Sequence, residues 1–261
     1  MSFLVVLKVE LVKLMHKRIS LLLLLLCVPA ILFGAGMSLG LSFFVSDGSG
    51  GGVEAVGSSL SGIGFVVSMM EQSKYIVFLV IIILAASSLS GELENGQMKL
   101  EIIRVCSRMK IVTAKMVSLL IVVYGAILFS LLWSLLIYVM FVSRTKYASG
   151  LLFDELVLAH IGYIFFMILG VSTAISVTFL CGVKLKTFQC FAVSYIVWFA
   201  SLYTDFMGNI KLFIPYNMPN YFLENSGKVG DIFLYIFLYI GYCMIFQMVS
   251  CIILTKIDIK S

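Results

Sequence analysis

The amino-acid sequence predicts an all-α integral membrane protein with six transmembrane helices. Three observations lead there: the composition, six long apolar runs, and the placing of the charges between them. Of 261 residues, 62% are hydrophobic and only 12% are charged, with a mean hydropathy of +1.14. Soluble domains run at roughly 45–50% apolar and about 25% charged. Half the usual charge cannot supply a water-facing surface for a more apolar chain, so lipid has to be the solvent for most of it.

The first element is an interfacial amphipathic helix over residues 1–18. Phe3, Leu4, Leu7, Leu11, Leu14 and Met15 recur at three- and four-residue spacing, with Lys8, Lys13, His16 and Lys17 mostly off that stripe. Such a helix lies in the membrane interface and turns into the first span. The apolar run that follows has 27 residues, well beyond a signal-peptide core of about 7–15, so it reads as a span and not a cleaved leader.

Six spans are expected at 19–45, 75–90, 111–142, 157–183, 188–203 and 231–254, and they make residues 1–261 a single transmembrane domain. A helix needs about 20 apolar residues to cross the ~30 Å hydrocarbon core. The runs are continuously apolar rather than alternating. Helices are therefore the spanning form, since a lipid-exposed backbone has to satisfy its own hydrogen bonds. The stretch from Ile111 to Val142 would extend for ~48 Å, so it is expected to project on one side. The six cysteines show no CxxC pair and five lie in apolar runs, where cysteine behaves as a small hydrophobe. Neither a disulfide framework nor a metal site is expected.

Loop charges set the orientation. With the N-terminal side inside, 13 of the 18 basic residues and only five of the 13 acids fall on inner segments. That bias predicts a multi-pass membrane protein with both termini in the cytoplasm. It also accounts for the net charge of +5 without nucleic acid as a partner.

Outside the spans, Ser46–Lys74 is rich in Gly and Ser and reads as a flexible tether. No GxxxxGK[ST] string occurs, so no nucleotide site is expected in this chain. The loop Thr204–Gly230 combines Phe206, Phe213, Tyr216, Tyr221 and Phe222 with Pro215 and Pro219, which suggests short interfacial pieces between spans five and six; an aromatic belt explains the tyrosines equally well. The inner connection from Ser90 to Lys115 is too apolar for a solvated loop. A short helix from Gln97 to Val105, flanked by charge, would suit docking against a partner.

That inner connection resembles the permeases of type-2 ABC transporters. The order is small residues ending span two, then Gly91-Glu92, Gly96, Leu100, Ser107-Arg108, and Ala114-Lys115 entering span three. The small size and the lack of an attached ATPase are most similar to bacterial permeases for antimicrobial-peptide (lantibiotic or bacitracin type) immunity. The resemblance implies six spans after an interfacial helix, with the inner loop as a coupling helix. It assigns Gly91, Glu92, Gly96, Leu100, Arg104, Ser107, Arg108 and Lys115 to ATPase coupling. It also implies ABC ATPase subunits and a second permease copy or sister permease as partners, in contact with membrane lipid. No cofactor is expected in this chain, with ATP on the partner. The cargo would be hydrophobic or amphipathic, such as an antimicrobial peptide or a lipid-like compound, exported from the cell or membrane. Nothing in the residues points to a substrate-binding set.

Three other classes compete. An intramembrane enzyme lacks HExxH and GxSxG; His160 beside a serine is the nearest approach, and a lone His at a span end is usually a packing residue. An ion-coupled secondary transporter usually carries charges within its spans, and the span centres here are uncharged. A membrane sensor or assembly subunit leaves no catalytic signature. The expectation is a transport subunit, not an enzyme.

Overall fold

In the computed structural model the chain is described for residues 2–40, 60–105, 107–154, 156–202, 214, 216–224 and 232–256. Nine α-helices occur among these residues. Helix α1 (Phe3–His16) leads into a 3-10 stretch (Arg18–Cys27) that continues as α2 (Val28–Ser38). Helix α3 (Gly62–Glu94) and the short α4 (Gln97–Val105) follow. Helix α5 (Arg108–Ile137) closes with one π-helical turn (Tyr138–Val142). Then come α6 (Val157–Gly182), α7 (Thr187–Leu202), α8 (Met218–Glu224) and α9 (Ile232–Lys256).

Among the described residues, five helices are long and apolar enough to cross a membrane: Arg18–Ser38, Gly62–Glu94, Arg108–Val142, Val157–Gly182 and Ile232–Thr255. This is the architecture of a multi-pass membrane protein. The expected fifth span, 188–203, is a helix over Thr187–Leu202, 16 residues and about 24 Å long, and residue 203 lies outside the described ones. The expected first span, 19–45, is helical to Ser38, and residues 41–45 lie outside the described ones.

The largest correction concerns the second span. It starts at Gly62, not at residue 75, so the second half of the expected tether is helix. Ser61 begins it: its hydroxyl accepts the Gly64 backbone N–H at 3.0 Å, the usual N-cap arrangement. Glu71 and Lys74 pair one turn apart at 3.8 Å, which lets the helix pass through polar residues where hydropathy alone ends it.

Helices α3 and α6 form the centre. Phe65, Ile81, Ile82, Ala85 and Leu89 of α3 are buried, as are Val171, Ile175 and Phe179 of α6. Helices α5, α7 and α9 pack around them. By contrast, Leu21, Leu24, Leu132, Phe233 and Phe237 are more than half exposed, the expected surface of helices bathed in lipid. Gly34 lets the first span approach α5, since a Cβ there would collide with the Ile137 side chain.

Helix ends alternate between two faces. On the face where α1 lies, Ser90 of α3 donates to Leu185 O at 2.5 Å, and the Thr187 hydroxyl donates to Glu94 at 2.7 Å. Arg108 of α5 donates to Leu254 O of α9 at 2.9 Å. The far end of α9 therefore lies on the same face as α1.

On the opposite face, Ser61 donates to Asp154 Oδ2 at 2.7 Å, and His160 Nδ1 lies 3.3 Å from Asp154 Oδ1. Asp154 thus contacts both the serine and the histidine, one through each carboxylate oxygen. This group is a clasp between α3 and the start of α6.

Candidate functional site

The functional candidates converge where α1, α3, α4 and α5 meet. Each helix contributes charge to one buried cluster: Glu10, Lys13 and Lys17 from α1 and its exit, Glu92 from the last turn of α3, Glu101 from α4, and Lys115 from the second turn of α5. Lys115 is fully buried, and Glu10 and Glu92 are each 3% exposed. An ammonium has three N–H donors and no acceptor. Here Lys115 faces three carboxylates: Glu92 in a very close ion pair, Glu10 at 2.9 Å and Glu101 at 3.0 Å.

Lys13 and Lys17 close the cluster from the outside. Lys13 lies 2.6 Å from Glu101 and 2.8 Å from Glu92, and Lys17 lies 2.8 Å from the other oxygen of Glu92. Three acids meet three bases, so the group is charge-balanced. That balance is what permits burial, because an isolated charge in so dry a place is prohibitively costly. The carboxylates of Glu10, Glu92 and Glu101 also lie close enough to surround a metal ion. The lysine ammoniums already occupy the cation positions among them.

The electrostatics follow from the geometry. Burial pushes the Glu10 carboxyl above its usual range, against the pull of Lys115. For Lys13, burial acts to lower the value. The hydrogen bonds to Glu101 and Glu92 outweigh it and hold the ammonium above the usual lysine range. Both directions follow from the competition between desolvation and a nearby opposite charge.

Helix α4 sits as a lever over this cluster. It leaves α3 through Asn95-Gly96, and Gly96 adopts a left-handed φ of +69°, which an L side chain disfavours. Met98 is fully buried and Glu101 points into the cluster, while Leu100 is 61% and Ile103 73% exposed. The helix is thus amphipathic with two apolar residues on its outer side.

The residues expected for coupling part into two groups. Glu92 and Lys115 belong to the buried cluster, where no external partner can touch them. Arg108 is turned to α9, donating to Leu254 O and Thr255 O at 2.9 and 3.3 Å. Gly91 packs at the start of α7, its notional Cβ 3.6 Å from Thr187 Oγ1. Ser107 stands at the N-cap of α5 without a side-chain cap bond. Gly96 makes the turn, Leu100 faces out, and the Arg104 side chain lies outside the described ones.

A protein-family profile described as Protein of unknown function (DUF2705) matches residues 51–260. The chain belongs to this family. The matched stretch holds Glu92, Glu101, Arg108 and Lys115, whereas Glu10, Lys13 and Lys17 of the cluster precede it. No curated protein matches the sequence.

Sequence reasoning missed Glu10, Lys13, Lys17 and Glu101. It placed the stripe of α1 on Phe3, Leu4, Leu7, Leu11, Leu14 and Met15, but the residues buried against the bundle are Val6, Glu10 and Leu14. Leu4 and Met15 are 72% and 65% exposed. A signal was present: Glu10 is the one acid in the first 46 residues, and it stands four residues from an apolar residue on either side. Those three positions share one helix face.

Proposed function

We propose that this chain is the membrane-spanning permease subunit of an ATP-driven transporter of the ABC class, with α4 as the contact for a separate ATPase. The observation that carries the reading is the two-sidedness of α4. Its outer side offers Leu100 and Ile103 to a partner, while its inner side inserts Glu101 between Lys115 and Lys13. A push on α4 is thereby delivered to α1, α3 and α5 at once. Interlocked charges transmit such a push because breaking any one leaves an uncompensated buried partner.

In this reading the N-terminal face is cytoplasmic, and α7 with the residues beyond it completes a sixth crossing. The chain pairs with a second copy or a sister permease to enclose a path for a hydrophobic or amphipathic cargo, such as an antimicrobial peptide. Affinity purification from the native membrane in mild detergent tests it. An ATPase carrying Walker motifs should accompany the chain, and reconstituted membranes should hydrolyse ATP faster with cargo present. A chain that emerges alone under several detergents would sink the proposal.

The buried ion cluster also favours a second reading, an ion-coupled secondary transporter, because carboxylates near the membrane boundary can carry protons. Transport driven by a proton gradient without ATP would select it.

A further inference from the structure

On the face shared by α1 and α4, a cleft of about 450 Å³ opens between the start of the first span, the end of α3 and the start of α7. Its polar wall carries Lys17, Arg18, Asn95, Gln97 and Thr187, with the Glu92 carboxylate behind Lys17. We infer that this cleft binds the phosphate of an anionic lipid headgroup. The volume falls within the roughly 300–1,000 Å³ of small-molecule sites.

The chemistry of the wall selects an anion. Arg18 is exposed, and among the described residues its guanidinium has no hydrogen-bond or ion-pair partner. A guanidinium presents a fork of donors that matches a phosphate. Lys17 gives one contact to Glu92 and keeps further donors for a ligand. The Glu92 carboxylate in the wall is neutralised by Lys13, Lys17 and Lys115, and Glu94 is held by Thr187. The side-chain amides of Asn95 and Gln97 add donors for the remaining headgroup oxygens, whereas the Ser87 and Thr187 hydroxyls already donate to Leu84 O and Glu94.

The surroundings select a lipid over a soluble phosphate. Directly after Arg18 the 3-10 stretch turns outward Leu21, Leu22, Leu24 and Leu25, which are 64%, 37%, 58% and 42% exposed. Across the cleft, Phe188 of α7 is 77% exposed. A cation at the headgroup level followed by an outward apolar wall fits an amphiphile end to end. This site needs only the membrane placing of the chain and does not depend on an ATPase partner.

Native mass spectrometry of the purified chain, exchanged into mixed micelles of phosphatidylglycerol or phosphatidylcholine, tests the assignment. Phosphatidylglycerol should be retained over phosphatidylcholine. Arg18→Gln should lower its retention about fivefold, corresponding to about 1 kcal/mol for one basic residue near the surface. Lys8→Gln, which removes an exposed cation of α1 outside the cleft, should leave retention unchanged. Both variants should melt with the parent, since both side chains are exposed. Equal retention of the two lipids, or equal loss in both variants, would overturn the inference. So would displacement of the lipid by millimolar glycerol phosphate, which would give the cleft to a soluble phosphate.

Discussion

Lys115 and Glu92, 23 positions apart on α5 and α3, form an ion pair in which both side chains are out of reach of solvent. The pair joins the start of one long helix to the end of another, and Glu10 and Glu101 attach α1 and α4 to the same ammonium. Four helices therefore share one electrostatic joint.

Removing the central cation should be the most damaging single change. In Lys115→Met, three carboxylates face one another without their common partner, and about 3–5 kcal/mol of stability should be lost. Thermal unfolding in mild detergent reads this out. In the double variant Lys115→Met/Glu92→Gln the two losses should add to clearly more than the measured total, because both act on one network. Simple additivity would mean the joint is not a unit.

Lys13 gives the cluster a pH dependence at its alkaline end. Its folded-state value is raised, so its contribution is fully present below the ordinary lysine value of about 10.4. It is lost as the pH rises through the higher folded value. Melting temperature followed from about pH 9 to about pH 11.5 should fall more steeply for the parent than for Lys13→Met. Parallel curves would contradict the assignment.

At the first residue of α5, Arg108 caps the last carbonyls of α9, a favourable place for a cation at a helix C-terminus. Arg108→Ala should free that end at a cost of about 0.5–1 kcal/mol. Hydrogen exchange should quicken in the last turns of α9 and remain unchanged in α6.

Two glycines bear on the packing differently. Gly96→Ala meets no neighbour within 4 Å, so its cost of about 1–2 kcal/mol is purely that of a left-handed residue. Gly34→Ala drives a methyl into Ile137, and Ile137→Ala should partly rescue it. Melting curves of the two single variants and the pair distinguish strain in the turn from collision between helices.

Much of the fold was legible because hydropathy and length govern it. The short helix expected over Gln97–Val105 is α4, since its apolar residues and flanking charges are local signals. The start of α3 was not legible from hydropathy, because a Ser N-cap and a Glu71–Lys74 pair carry the helix through a polar stretch. The joint was hidden for a different reason. Lys115 meets Glu10 across 105 positions, and each charge taken alone is explained by insertion bias. Only packing shows that Glu10 points into the bundle rather than to the interface.

Site-specific photo-crosslinking in intact cells tests the central claim most directly, with the photoreactive residue placed at Leu100, at Ile103, and at Leu21 as a lipid-facing reference. Mass spectrometry of the adducts should show an ATPase with Walker motifs at positions 100 and 103, and no protein at position 21. If positions 100 and 103 yield no ATPase adduct, α4 is not the contact for an ATPase and the permease reading fails.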